Sequence, residues 1–339
     1  MPIRVAINGY GRIGRNMLRA LYENLQQGCN RQVQLVAIND LGSAESLLHL
    51  TRYDTTHGRF HTLVNLTRDN VLQVNGDSIV LLQIEDPAHC PWAELDIDVV
   101  LECTGVYRAR EDASRHLQAG ARRVIIGAVA FDEVDATIVY GVNHSQLSAA
   151  HKVISNASCT THCIAPLLKV MDETFGVKQA FMTEIHSYTS DQVLLDHVHR
   201  DLRRARAGAQ NLIPTTSSSI GAVQKVLPRL EGKISGYSMR VPTLNVAAVD
   251  LTLMMNTPLT DVQPIHRAME QASESNLKGI LGYCHEPLVS VDFLHRTESA
   301  IYDETQTIVT DGMIKIVAWY DNETGYAHRL LDLVEALQQ

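Results

Sequence analysis

Cys159 is the residue whose type and position offer the most chemistry. It stands in Val153-Ile154-Ser155-Asn156-Ala157-Ser158-Cys159-Thr160-Thr161-His162-Cys163, where an apolar strand-like run passes through small polar residues into a helical pattern over Ile164–Phe175. The pattern puts the thiol at a helix N-terminus, whose positive end lowers a thiol pKa, and the thiolate is the nucleophilic form. Cys163 lies one helical turn deeper and reads as a small packed residue. A metal reading of Cys159, His162 and Cys163 fails, because no second ligand pair follows at zinc-like spacing. Downstream, the strand-like run Ala180–Ile185 delivers His186-Ser187-Tyr188-Thr189-Ser190-Asp191-Gln192. One histidine among fifteen is more often packed or solvated than catalytic, and His197 and His199 read as solvated. A cysteine on a helix N-terminus and a histidine at a strand end, however, together make a nucleophile and its base.

A second constellation lies at the N-terminus. The run Ile3-Arg4-Val5-Ala6-Ile7 ends in Asn8-Gly9-Tyr10-Gly11-Arg12-Ile13-Gly14, after which Met17, Leu18, Leu21, Tyr22 and Leu25 recur at helical spacing. In such a strand, glycine turn and helix, Gly9 permits the tight turn, Gly11 admits a pyrophosphate close to the backbone, and Gly14 packs the helix on the strand. The helix N-terminus then presents unpaired N–H groups to the phosphates. A second apolar run, Val33–Ile38, closes on Asn39-Asp40, and Asp40 is placed for a ribose hydroxyl. An insertion over 26–31 accounts for its position somewhat beyond the usual spacing. A carboxylate there repels a 2′-phosphate, so the expected cofactor is NAD rather than NADP.

These sites need elements to hold them. Further strand-like runs at Ser78–Gln83, Asp98–Leu101, Val124–Ile126 and Ala136–Tyr140, with a helical stretch Arg110–Ala119 ended by Gly120, predict a doubly wound parallel sheet. Thr104-Gly105 then falls at the carboxyl end of a strand, where such sheets bind ligands. The length of 339 residues suits two domains. With 45% hydrophobic and 20% charged residues, the composition is that of a globular protein. A net charge of -9 argues against a general nucleic-acid binder. No stretch reaches the roughly 18 apolar residues of a membrane span. The chain runs from Met1 into a strand without a leader, so a cytoplasmic location is expected, with Cys29, Cys90, Cys103, Cys159, Cys163 and Cys284 as thiols.

Asn8–Arg15, Ser155–Cys163, His186–Gln192, Arg240-Val241-Pro242-Thr243 and Trp319-Tyr320-Asp321-Asn322-Glu323-Thr324-Gly325-Tyr326 together resemble the phosphorylating glyceraldehyde 3-phosphate dehydrogenase family, which includes the D-erythrose 4-phosphate dehydrogenases. The resemblance runs in order along essentially the whole chain. It implies an α/β protein with a Rossmann NAD domain over 1–158, joined by the C-terminal helix 321–339 packing back on it. An α+β catalytic domain with a mixed or antiparallel sheet over 159–320 completes the implied architecture, and family members are homotetramers. The implied roles are Cys159 as nucleophile and His186 as its activating base. Ser158, Thr160, Thr189, Arg204, Ser217, Ser218 and Arg240 would bind phosphoryl groups, and Arg12 and Ile13 the pyrophosphate. Asn322 would hold the nicotinamide carboxamide. Arg200, Arg203 and Arg206 keep the default reading of a solvated basic face.

The activity so implied is NAD-dependent oxidation of a small phosphorylated aldehyde through a cysteine thiohemiacetal and thioester, with inorganic phosphate as acceptor. Tyr188-Thr189 and Ile213-Pro214-Thr215-Thr216 resemble the triose phosphate enzymes. Thr51–His57, Asp135–Tyr140 and Ser299–Asp303 with Thr305-Gln306-Thr307 resemble the erythrose 4-phosphate branch, whose acceptor is water. Thr189, as a phosphate donor, tips the expectation to the triose phosphate. The chain departs from the family at His162, at Gly127-Ala128-Val129 and at Glu85, departures that bear on cofactor affinity. Two other readings are a non-catalytic NAD-binding redox sensor using Cys159, and an NADP-linked reductase of acyl phosphates. The intact set of Cys159, His186 and Arg240 argues against the first, and Asp40 against the second.

Overall fold

A computed structural model describes residues 2–26 and 32–338, so Cys29 and all but the first residue of the 26–31 insertion lie outside the described residues. The chain divides into two compact units. The first comprises Met1–Ile138, Asn143–Ala157 and Ala327–Gln339, and the second Val139–Val142 and Ser158–Tyr326.

In the first unit the chain runs through β1 (Ile3–Asn8), α1 (Arg12–Gln26), β2 (Val33–Asn39), α2 (Ala44–Arg52), the short hairpin β3 (Tyr53–Asp54) and β4 (Gly58–Arg59), β5 (Val64–Leu66), β6 (Val71–Val74) and β7 (Asp77–Leu82). It continues through β8 (Val99–Glu102), α3 (Arg110–Ala113), α4 (Arg115–Gln118), β9 (Arg123–Ile126), β10 (Ala136–Thr137) and β11 (Val153–Ser155). The main sheet has the order β10-β11-β9-β8-β1-β2-β7-β6-β5. It is parallel from β10 to β7, and antiparallel β6 and β5 complete the edge. β1 and β8 are almost wholly buried, as strands covered on both faces must be, and their mostly apolar, Ile- and Val-rich sequences suit that position. Strand order reverses beside β1, where Asn8 pairs in register with Glu102, so the carboxyl ends of β1 and β8 flank the switch point at which such sheets bind ligands.

Two expected elements differ. The helix expected over Arg110–Ala119 is broken at Ser114, whose N–H and hydroxyl both donate to the Arg110 carbonyl, at 3.0 and 2.7 Å, a sharing that bends helices. The strand expected over Ala136–Tyr140 stops at Thr137, and beyond it a turn closes with Val142 N–H donating to Val139 O.

The second unit contains α5 (Cys159–Phe175), β12 (Val177–Ser187), β13 (Ile213–Thr215), α6 (Ser219–Val226), β14 (Ile234–Val241), β15 (Ala247–Met255), α7 (Gln263–Glu274), β16 (Leu281–Cys284), β17 (Ala300–Thr310), β18 (Met313–Tyr320) and the first turn of α8 (Thr324–Ala336). Its seven-stranded sheet has the order β13-β14-β12-β15-β18-β17-β16 and is mixed, with β12 parallel to β14, β16 parallel to β17, and antiparallel pairs elsewhere. Helix α5 packs on β12, β15, β17 and β18, burying Ile164, Leu167, Leu168 and Met171 completely. That helix starts at Cys159, five residues before its apolar pattern becomes visible, because the Ser158 hydroxyl accepts the Thr161 N–H at 3.0 Å and caps it.

Candidate active site

The glycine turn after β1 has the geometry its sequence suggested. Gly9 has φ +92°, and a Cβ there would lie 2.6 Å from the Thr104 nitrogen. A Cβ on Gly14 would lie 2.4 Å from Gly9 O. Both positions therefore require glycine for packing. A Cβ on Gly11, by contrast, would meet nothing within 4 Å, which leaves this backbone open to a ligand. Asp40, at the end of β2, accepts the Tyr10 N–H at 2.7 Å and the Gly42 N–H at 2.8 Å, so the carboxylate is fixed beside the turn. The open Gly11 backbone, the start of α1 and the fixed carboxylate of Asp40 fit a dinucleotide.

The Arg12 guanidinium is paired with Asp54. Although burial works against it, hydrogen bonds from Arg12, His57 and Thr56 hold the Asp54 carboxyl down at about 2. Position 12 therefore offers a pyrophosphate its place in the first turn of α1 more than a loose cation. Thr104 donates its N–H to Glu102 at 2.8 Å, and its hydroxyl donates to the same oxygen. Beneath this turn, sequence reasoning missed a buried network. Asn39 donates to Asn8 at 2.7 Å, and Asn8 donates to Glu102 at 2.6 Å. Trp92 Nε1 can only donate, so His116 Nδ1 accepts from it at 3.1 Å and Nε2–H donates to Glu102 at 3.0 Å. The network ties the carboxyl ends of β1, β2 and β8 together.

In the second unit, Cys159 is the first residue of α5, and its Sγ lies 3.5 Å from His186 Nε2. His186 is the penultimate residue of β12 and pairs in register with Arg240 on the parallel strand β14. Its Nδ1 lies between Ser187 O at 2.6 Å and Arg240 Nη1 at 2.9 Å, and in the tautomer that donates Nδ1–H to Ser187 O the Nε2 lone pair faces the sulfur. Arg240 Nη1 donates to Ser187 O at 3.3 Å and lies 2.9 Å from His186 Nδ1, while the buried Nε of Arg240 has no hydrogen-bond partner among the described residues.

Glu184, missed by sequence reasoning, shares the inward face of β12 with His186. It is 3% exposed, and its Oε1 lies 4.0 Å from His186 Nε2. Thr160 donates its hydroxyl to Oε1 at 2.8 Å, and Ser217 donates to Oε2 at 2.7 Å. With the Thr160 proton so engaged, Tyr320 OH donates to Thr160 Oγ1 at 2.8 Å. The available signal was parity: residues two apart on a strand share a face.

These neighbours set the protonation of the pair. Burial first, then the charge of Glu184, push the Cys159 thiol up to about 12, against Arg240 and Thr160. Burial first, then the charge of Arg240, pull the His186 imidazole down to about 4, against Glu184. The thiol pKa expected to fall at a helix N-terminus is instead raised by loss of water and the Glu184 charge. Both shifts favour the uncharged thiol and imidazole over a thiolate and imidazolium.

The remaining expected residues divide. Ser158 Oγ lies 2.9 Å from Ser219 Oγ, and Ser218 stands at the N-cap of α6 without a side-chain capping bond. Thr189 donates its N–H to Gln192 at 2.9 Å and its hydroxyl at 3.3 Å. Arg204 pairs with Asp191 and Asp201 and donates to Thr216 O at 3.4 Å, so its fork is already occupied by carboxylates. Asn322 accepts the Ser187 hydroxyl at 3.2 Å. His162 is buried with Nδ1 at 3.1 Å from Ser158 O and its ring edge-on to Tyr326. Gly127 faces Cys103 and Glu102 O, and Glu85 is exposed, with its carbonyl accepting from Tyr107 OH at 2.9 Å. Among the described residues no group of three or more His, Cys, Asp or Glu side chains is arranged to hold a metal ion.

Two family models match the chain. The model of the glyceraldehyde 3-phosphate dehydrogenase NAD binding domain covers residues 3–110, and that of the C-terminal domain covers residues 158–322. Similar proteins include a plasmid-encoded glyceraldehyde-3-phosphate dehydrogenase of Cupriavidus necator, 52% identical over 337 residues and 99% of each chain. The glyceraldehyde-3-phosphate dehydrogenase of Geobacillus stearothermophilus is 49% identical over 335 residues, which cover 98% of this chain and 97% of that one.

Proposed function

The chain belongs to the glyceraldehyde 3-phosphate dehydrogenase family, and on that premise we propose that it oxidises D-glyceraldehyde 3-phosphate with NAD, with inorganic phosphate as the acceptor. The observation that carries this reading is the 3.5 Å approach of Cys159 Sγ, at the head of α5, to His186 Nε2. His186 Nε2 takes the thiol proton as sulfur adds to the aldehyde carbon, then returns it to the new oxyanion. The N–H of Cys159, left without an intrahelical partner in the first turn, and the imidazole stabilise that oxyanion. NAD, when bound, supplies a hydride acceptor. His186 removes the hydroxyl proton as the hydride departs, which leaves a thioester on Cys159 and an imidazolium beside it. The imidazolium proton goes to sulfur when a phosphate oxygen attacks the acyl carbon and the carbon–sulfur bond breaks.

Gly9, Gly11, Arg12, Ile13, Gly14, Asp40, Thr104 and Asn322 would hold the dinucleotide. Ser158, Thr160, Thr189, Ser217, Ser218 and Arg240 would hold phosphoryl groups, the unpartnered Nε of Arg240 supporting its part. Arg204 joins them only by giving up Asp191 or Asp201. The enzyme is proposed to work as a homotetramer in the cytoplasm. Among the described residues, no helix is long and apolar enough to cross a membrane. NADH formation, followed with glyceraldehyde 3-phosphate and erythrose 4-phosphate side by side, each with and without phosphate, tests the reading. Turnover of the tetrose alone would replace the triose as substrate.

A further inference from the structure

A hydroxyl carries a single proton to donate. Around Cys159, both Thr160 and Ser217 give theirs to one carboxylate, at 2.8 and 2.7 Å. Glu184 is buried, and among the described residues no lysine or arginine pairs with it. Its nearest potential cation is the His186 ring, 4.0 Å away. The carboxylate thus resembles an anion already seated on hydroxyls beside the nucleophile. An incoming phosphate meets two donors with no proton to offer and a negative charge that burial leaves poorly screened.

We propose that Glu184 is a specificity-determining residue of the deacylation step, which holds Thr160 and Ser217 so that inorganic phosphate reaches the thioester only by displacing their bonds to the carboxylate. The proposal rests on the reading of those two hydroxyls as ligands of the attacking phosphate. Its chemical consequence is competition by water, which is small and neutral and needs neither hydroxyl. In that branch the water oxygen attacks the acyl carbon, the carbon–sulfur bond breaks, the imidazolium proton passes to sulfur, and the product acid releases a proton to solvent. No electrons move in this step.

The test compares the native enzyme with Glu184→Gln, which keeps shape and removes charge, and Glu184→Thr, which removes the carboxylate entirely. The NAD-loaded proteins are treated with iodoacetamide under rising inorganic phosphate, and the concentration giving half-protection of Cys159 is read. It is expected to fall fivefold or more in both variants, with the KM for phosphate falling in parallel. The native enzyme is expected to form more than one NADH per active site without phosphate, releasing the acid, and the variants to release a smaller share of acid when phosphate is present. Thermal melts identify any variant that fails to fold, and the other then decides. Half-protection at unchanged or higher phosphate in the folded variants overturns the proposal. If protection shifts as expected while no aldehyde yields NADH, Glu184 stands as the competitor of phosphate and the substrate reading fails instead.

Discussion

Cys159 and His186 face each other at 3.5 Å in surroundings that favour the uncharged form of both, and the direction of these shifts predicts how the thiol should respond to pH. A raised pKa favours the protonated form, so at neutral pH the thiolate is a minor species whose fraction climbs tenfold per unit until the pKa is reached. Iodoacetamide should therefore inactivate the free enzyme ever faster from pH 6 to 9, and Glu184→Gln should move the profile to lower pH by removing one cause of the shift. A plateau reached by pH 7 would mean a preformed thiolate and imidazolium instead. The label should fall on Cys159, since Cys163 is fully buried, and Cys159→Ser should lose essentially all turnover. Asp40 makes a separate prediction. Its carboxylate would accept a ribose hydroxyl but repel a 2′-phosphate, so Asp40→Ala should cost NAD affinity while NADP gains relative kcat/KM. An unchanged ratio of the two cofactors would remove Asp40 from that role.

Elements explain which parts of the site were legible in the chain. The turn Gly9–Gly14 and the start of α5 are local, set by residues a few positions apart, and their spacing was enough to predict the geometry. The polar triangle of Thr160, Glu184 and Ser217 is not local. It forms because α5, β12 and the segment before α6 converge, and only the parity of Glu184 with His186 hinted at it. The Trp92, His116 and Glu102 chain is equally tertiary, and no period in the sequence marks it. The thiol pKa was misread for the same reason, because the helix end is visible in sequence and the neighbouring carboxylate is not. The glycine turn permits a sharp test of function against packing. Gly9→Ala forces a side chain at φ +92° into the Thr104 backbone and should cost about 2 kcal/mol or more of stability. Gly11→Ala meets only open space, so its melting temperature should stay close to native while NAD affinity falls tenfold or more. Equal NAD affinity in Gly11→Ala and the native enzyme would place the pyrophosphate elsewhere.

At the scale of the whole molecule, the seven-stranded sheet poses a problem that one chain leaves unsolved. Its inward face lies under α5, and along β12 the even positions Ala180, Met182, Glu184 and His186 are all buried. The odd positions face the other way and include Phe181 at 47% and Ile185 at 38% exposure. Tyr237 on β14 sets its ring edge against Phe181, and Met254 on β15 is exposed in register beside exposed Met313 on β18. These apolar side chains share the face with Thr252, Asp250 and Lys315, the last two paired at 2.8 Å, so the face mixes apolar and charged groups in the manner of a protein–protein contact, and a second sheet face would cover its apolar part. This supports the proposed homotetramer, whose interfaces on this face would each need to bury roughly 1,200 to 2,000 Å² to be stable. Sedimentation at micromolar concentration should then show a four-chain species. Phe181→Asp, which would bury an unpaired carboxylate at the contact, should shift it to smaller assemblies while each chain keeps its fold, because the residue lies outside the helix-covered core. A native protein that sediments as a monomer would refute the assembly, and an unchanged four-chain species in Phe181→Asp would move the interface off this face.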